Sequence, residues 1–108
     1  MKVTSDKKYV CWHDDVITLG GNNCTIYTST LAKVQSLSLR QTNNGVTYTG
    51  KICTVDRYLE ICKQYGVIPV IELKAASGIY YEDMSNFPGL YALIEKHGLV
   101  DKAIILTS

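Results

Sequence analysis

The sequence lacks three features that would point to a partner or a compartment. Its charges nearly cancel, with 11 Lys and Arg residues against 10 Asp and Glu residues, so no basic field points to nucleic acid or to an anionic membrane surface. No apolar run is long enough to cross a bilayer, and the amino terminus, MKVTSDKKYV, lacks the apolar core of a secretory signal. We therefore expect no nucleic-acid partner, no stable membrane anchor and, by default, a cytoplasmic location.

The four cysteines lack the spacing of a metal-binding motif. Cys11, Cys24, Cys53 and Cys62 contain no C-x-x-C pair, and no histidine is spaced to complete a structural zinc site. Two disulfides remain open in principle, but the chain is not a small loop-rich scaffold that needs them. We interpret all four cysteines as reduced thiols.

The hydrophobic pattern predicts strands that alternate with helices. Two polar, glycine-containing stretches, TLGGNNCT and RQTNNGVTYTGK, are predicted to be loops. Thr54 can cap the best of the helices and Gly66 can end it. The predicted elements in chain order are a strand at KKYVCWH, helices at TSTLAKVQSL and TVDRYLEICKQYG, a buried strand at VIPVIELK, a helix at FPGLYALIEKHG and a last buried strand at DKAIILTS.

Alternating strands and helices indicate right-handed crossovers and a parallel sheet. Three parallel strands do not make a domain by themselves, because both faces and both edges of the sheet need cover. The pattern therefore predicts a segment of a larger α/β barrel or sheet.

Polar side chains stand at the carboxyl ends of the predicted strands, where parallel α/β folds place their ligand sites. His13 and Asp14 end the first strand, and Glu72 and Lys74 end the second. Alternation along the strand puts Glu72 and Lys74 on the face opposite Ile71. A carboxylate on an inward face needs a cation, either Lys74 or a metal with oxygen ligands.

Each of these groups also has a purely structural interpretation. The stretch WHDD is, by itself, a strand that runs into a polar turn, and Glu72 and Lys74 can equally lie in solvent at a strand end. His97, in the last turn of its helix, most simply interacts with the negative end of the helix dipole. Trp12 alternates away from His13 and is predicted to lie in the core.

Four stretches taken together resemble the glycerophosphodiester phosphodiesterase family in order and spacing. They are VTSDKKYVCWHDD, STLAKVQSLSL, ICTVDRYLEICKQYGVIPVIELK and LIEKHGLVDKAIILTS. The first is similar to the family's T-x-D-G-x-x-V-x-x-H-D hairpin, the third to its P-T-L-x-E-x-L segment before I-E-L-K, and the last to its G-L-x-D-x-V-x-I-x-S-F strand. The resemblance covers nearly the whole chain and implies an α/β fold: a fragment of a TIM (β/α)8 barrel, about three parallel strands with intervening helices.

The resemblance implies metal-dependent hydrolysis of glycerophosphodiesters to glycerol 3-phosphate and an alcohol. By match, His13 would be one of two catalytic histidines, Glu72 a ligand of Mg²⁺ or Ca²⁺, and Lys74 a contact to the substrate phosphate. The family's H-R-G, E-N-T and E-x-D motifs have no counterpart in this sequence. Residues 1–108 are therefore expected to be a partial domain that lacks the N-terminal and later barrel strands, to be inactive alone, and to leave the compartment open.

The alternative is a non-catalytic binding or structural module built on a partial barrel. The exposed edges of three parallel strands would seek further strands. This alternative predicts a homo-oligomer formed through open strand edges, whereas the first interpretation predicts a small-molecule glycerophosphodiester as the partner.

Overall fold

The computed structural model describes residues 1–19, 22–73 and 86–107. Three helices and eight short strands lie within these ranges. The helices are α1 (Leu31–Gln35), α2 (Val55–Tyr65) and α3 (Phe87–Lys96), and a 3₁₀ turn covers Ile26–Thr28. The strands are β1 (Lys2–Val3), β2 (Tyr9–Val10), β3 (Val16–Leu19), β4 (Asn22–Thr25), β5 (Leu39–Asn43), β6 (Val46–Gly50), β7 (Val70–Leu73) and β8 (Ile104–Thr107).

The strands pair two by two, and this pairing overturns the predicted barrel segment. β1 with β2, β3 with β4 and β5 with β6 are antiparallel pairs joined by short loops, and within the described ranges only β7 with β8 is parallel. Short loops favour hairpins, because a parallel pair needs a crossover of about a dozen residues or more. The fold is a small α/β domain, and the prediction of a TIM-barrel fragment with about three parallel strands is wrong.

Two stretches that were predicted to be loops form hairpins instead. TLGGNNCT contributes to β3 and β4, and RQTNNGVTYTGK forms β5 and β6. In the second hairpin, Asn44 and Gly45 both have positive φ, 52° and 78°. A two-residue turn with positive φ at both positions matches the twist of the flanking strands and favours Asn-Gly. The Asn-Gly pair is therefore a sequence signal for a hairpin, although the polar residues around it led to the prediction of a loop.

The predicted helices form where their capping residues indicate. The Thr30 hydroxyl accepts a hydrogen bond from the Lys33 amide, and the Thr54 hydroxyl accepts one from the Arg57 amide. Gly66 ends α2 with φ of 65°, a left-handed conformation that glycine adopts at little cost. None of the helices in the described ranges has the length and apolar character needed to cross a membrane.

The helices α2 and α3 cover one face of the β7–β8 pair. Val70 pairs with Ile104 and Glu72 with Leu106, and these four residues are exposed. Ile71, which points to the other face, is 4% exposed and packs in the core. The alternation predicted for this strand is confirmed. The prediction that VIPVIELK and DKAIILTS form buried strands is wrong for one face of the pair, which is open to solvent in the described part of the structure.

Buried apolar side chains form two clusters. The first joins α2, α3 and β7, and consists of Val55, Leu59, Cys62, Ile71, Leu90, Ile94 and Leu99. The second consists of Val10, Ile17, Cys24, Ile26, Val34 and Ile52. We call residues 12–52, which carry most of the second cluster, the hairpin lobe. A bridge between Val10 and Thr54 holds the two ends of this lobe side by side.

Candidate functional site

His13 lies after β2 in an exposed turn, paired with its neighbour. Its Nδ1 atom is 2.8 Å from Asp14 Oδ1, and the two side chains are 72% and 73% exposed. A carboxylate at Nδ1 orients an imidazole and leaves Nε2 as the nitrogen that can exchange a proton. The arrangement supports proton transfer at the protein surface.

Glu72 lies on the exposed face of β7, beside Leu106. Its backbone carbonyl accepts a hydrogen bond of 2.8 Å from the Met1 ammonium, whose pKa is lowered chiefly by burial. Lys74, the third residue expected at the site, lies outside the described residues. Among the residues that the structure describes, no hydrogen bond or ion pair joins His13 to Glu72. Of the three expected residues, the structure therefore describes two, His13 and Glu72, and joins them by neither a hydrogen bond nor an ion pair.

The described residues alone do not fit the expected cation. Within residues 1–19, 22–73 and 86–107, no group of three or more His, Cys, Asp or Glu side chains is arranged to hold a metal ion. Mg²⁺ and Ca²⁺ take about six or more oxygen ligands, and Glu72 offers one exposed carboxylate. The Mg²⁺ or Ca²⁺ site stays a prediction.

A polar cluster that sequence reasoning missed joins the start of α2 to the end of α3. His97 Nε2 lies 2.6 Å from Asp56 Oδ1, and Lys96 Nζ lies 3.1 and 3.2 Å from the two Asp56 oxygens. The hydrogen bond from His97, followed by that from Lys96, holds the pKa of the Asp56 carboxyl below its usual value. The helix dipole favours Asp56 at the start of α2, and Lys96 and His97 at the end of α3, each independently of the others. Only the packing of one helix on the other brings the three together.

We expect Asp56→Asn to reduce the loss of stability in acid. Because the pKa of Asp56 is lower in the folded than in the unfolded state, its contribution to stability is complete above the unfolded value of 3.8 and disappears as the pH falls through the folded value. At neutral pH the variant should lose about 0.5–1 kcal/mol of unfolding free energy, since the carboxylate is 45% exposed and partly screened. Urea unfolding at a series of pH values measures both effects.

The matched control for this experiment is Asp101→Asn. Asp101 is an exposed carboxylate in the turn before β8, so its removal should change stability by less than about 0.5 kcal/mol at any pH. If the Asp56→Asn variant loses as much unfolding free energy as the wild type when the pH is lowered, the role given to Asp56 is contradicted.

A cavity of about 380 Å³ opens beside the same cluster. Its walls include Lys7, Lys8, Tyr9, Leu31, Thr54, Asp56, Gly89 and Leu93. The Thr54 hydroxyl is engaged in capping α2, and the Tyr9 hydroxyl donates to the Asn86 carbonyl oxygen at 3.1 Å. The remaining charged groups are of both signs, and they specify no single class of ligand.

One acid of the HDD stretch has a structural role. Asp15 Oδ1 lies 2.6 Å from Lys2 Nζ, and the Lys2 side chain is only 5% exposed. A buried ammonium needs a partner, because the protein interior solvates charge poorly. Asp15 therefore anchors β1 to the turn before β3, whereas His13 and Asp14 face solvent.

No model of a known protein family matches this sequence, and no curated protein matches it closely enough to be identified as a relative. The resemblance to the glycerophosphodiester phosphodiesterase family rests on the sequence motifs alone. The roles of His13, Glu72 and Lys74 therefore stay predictions.

Proposed function

We propose that this chain contributes His13 to the hydrolysis of a phosphodiester, and that the substrate is a glycerophosphodiester. The observation that carries the proposal is the His13–Asp14 pair, in which a carboxylate orients an exposed imidazole through Nδ1. An imidazole held in this way presents Nε2 as a group that can accept or donate a proton. The motif resemblance supports the substrate class, with glycerol 3-phosphate and an alcohol as products.

The proposed chemistry is proton transfer at the two oxygens that change partners. A neutral His13 would accept the proton of the hydroxyl that attacks phosphorus, and a protonated His13 would donate one to the departing alcohol oxygen. Under the proposal Glu72 would be one ligand of a divalent cation, which neutralises charge on the phosphoryl oxygens, and Lys74 would contact the phosphate. The second histidine and the other ligands would come from outside these 108 residues.

The complete gene product that contains this sequence is the protein to assay. With glycerophosphocholine and either Mg²⁺ or Ca²⁺, it should release glycerol 3-phosphate. We expect His13→Ala to lower kcat about 100-fold, which is the usual contribution of a general acid or base. His97→Gln is the control, because the other histidine lies in the Asp56 cluster and its replacement should leave kcat unchanged in folded protein.

Two results would overturn the proposal or its corollary. Full activity in the His13→Ala variant would show that His13 transfers no proton in the reaction. The 108-residue chain alone should give no product above its own His13→Ala variant. Product well above that control would contradict the expectation that further residues are required.

A second candidate function, a structural module that associates with its own copies, is favoured by the open face of the parallel pair. Val70, Ile104 and Leu106 are 47%, 46% and 49% exposed, although parallel strands are normally covered on both faces. In the described part of the chain, β8 pairs with no strand other than β7, so the outer edge of β8 is open and carries no charged residue.

If the chain forms a dimer through this surface, light scattering should give twice the 12.0 kDa chain mass. The Ile104→Lys variant should give a monomer. A wild-type monomer would overturn this candidate.

A further inference from the structure

Cys11 and Cys53 lie opposite each other on two antiparallel segments. The adjacent residues Val10 and Thr54 form a bridge, and the Cys11 amide donates a hydrogen bond of 2.9 Å to the Cys53 carbonyl oxygen. Opposed residues of this kind have Cα atoms about 5.5 Å apart and side chains on the same face. A disulfide spans Cα separations of about 4.4–6.8 Å. Antiparallel pairing therefore puts the two residues opposite each other, and the usual separation of such neighbours lies within the disulfide range.

The two thiols are also near each other and partly accessible. Both are free and half-buried, and the Cys53 thiol contacts the Thr54 carbonyl oxygen at 3.3 Å. Burial raises the pKa of Cys11 to about 11, and interaction with the Cys53 thiol is the next cause. Cys11 also lines a surface cavity of about 220 Å³, through which a small reagent can approach.

We propose that Cys11 and Cys53 are a redox-sensitive thiol pair, which a small disulfide of the glutathione class converts into a cross-strand disulfide. The bond would form at the neck of the hairpin lobe, where the chain leaves the first core cluster and returns to it. It would covalently close the loop that contains the lobe and most of the second cluster. This inference is independent of the proposed hydrolysis.

The reaction balances as two thiol–disulfide exchanges. One cysteine thiolate attacks a sulfur of oxidised glutathione, forming a protein–glutathione mixed disulfide and releasing one glutathione thiolate. The second cysteine thiolate then attacks the protein sulfur, forming the Cys11–Cys53 bond and releasing the second glutathione thiolate. Each released thiolate takes up one of the two protons that the protein thiols lose. The protein pair is oxidised by two electrons, and glutathione disulfide is reduced by two.

The other two cysteines are less well placed to form a disulfide with Cys11. Cys62 lies on α2, is 3% exposed and packs within the first cluster. It contributes to the raised pKa of Cys11, but no backbone pairing aligns it with Cys11. Cys24 is buried in the second cluster, with its sulfur 3.4 Å from the Ser29 hydroxyl. Backbone pairing favours Cys53 as the partner.

Peptide mapping tests the proposal directly, because trypsin separates Cys53 from Cys62. Cleavage after Lys and Arg puts Cys11 and Cys24 together in residues 9–33, Cys53 in residues 52–57 and Cys62 in residues 58–63, so the Cys24→Ser variant is needed to assign the bridge to Cys11. The chain is incubated with oxidised glutathione over a series of alkaline pH values, because the thiolate is the attacking form and burial raises the pKa of Cys11 to about 11, and free thiols are then alkylated. We expect a linked pair of peptides 9–33 and 52–57, which persists in the Cys24→Ser variant.

Thermal unfolding gives a second readout. Closing this loop restricts the unfolded chain, so oxidation should raise the Tm by about 9–18 °C. Cys53→Ser should abolish both the linked peptide and the Tm shift, and Cys62→Ser, the matched control, should keep both. A bridge to residues 58–63, or glutathione adducts without an internal bridge, would overturn the proposal.

Discussion

Asp15→Ala is expected to lower the free energy of unfolding by about 3 kcal/mol. The Lys2 side chain is 5% exposed and its ammonium lies 2.6 Å from the Asp15 carboxylate. Without that carboxylate, the folded state must hold an uncompensated charge where water cannot solvate it. The expected loss is at the low end for broken buried pairs, because Asp15 is itself 32% exposed and its site admits some water. Urea unfolding followed by circular dichroism measures it.

A double-mutant cycle separates this cause from a general loss of packing. Lys2→Met removes the charge but keeps the length of the side chain, and it should cost about 1 kcal/mol or less. In the Lys2→Met background, Asp15→Ala should cost little, so that the two losses are strongly non-additive. Arg57→Ala, which breaks an exposed ion pair with Glu60 on α2, should cost less than about 0.5 kcal/mol. Additive losses in the cycle would show that Asp15 does not act through Lys2.

Leu59→Ala is expected to lower the free energy of unfolding by about 3–4 kcal/mol. Leu59 is 0% exposed and belongs to the first cluster, which joins α2 to residues of α3 and β7. Truncation to alanine removes buried methyl groups and leaves a cavity that the surrounding helices fill only in part. Urea unfolding should show a lower midpoint and an unchanged slope.

The control for this variant is Tyr65→Ala on the same helix. Tyr65 is 70% exposed, so its truncation should change stability by less than about 0.5 kcal/mol. Ile17→Ala extends the test to the second cluster. Because a chain of this size commonly unfolds in one transition, both core variants should shift the same transition. Two separate transitions would show instead that the clusters unfold independently.

Local signals accounted for much of the secondary structure. The hydroxyl of Thr54 and the glycine at position 66 mark the two ends of α2 in the sequence and in the structure. Period-two alternation correctly placed Ile71 and Glu72 on opposite faces of β7 and Ile71 in the core, but the expected inward face of Glu72 is wrong, because Glu72 is exposed. The Asn44–Gly45 hairpin was also encoded locally, since the dipeptide favours positive φ at both positions, but the polar residues around it suggested a loop.

The candidate site could be predicted less well. The adjacency of His13 and Asp14 makes their contact a local property, and the structure shows it. The contact between Asp56 and His97 joins residues 41 positions apart, and no local pattern predicts it. The opposition of Cys11 and Cys53 across two segments likewise depends on strand pairing, which no local pattern predicts.

The sequence by itself determined which segments are helices, where α2 begins and ends, and which residues of β7 alternate between its two faces. These properties depend on caps, turns and side-chain period, which act over a few residues. The tertiary structure decided which strands pair, and in what direction, because pairing is a competition among distant segments. β2, for example, pairs with β1 in an antiparallel hairpin. The described residues therefore contain four separate strand pairs in place of the expected parallel sheet. The tertiary structure also decided which charges are buried, as Lys2 and Asp15 show, because burial depends on what the rest of the chain packs over them.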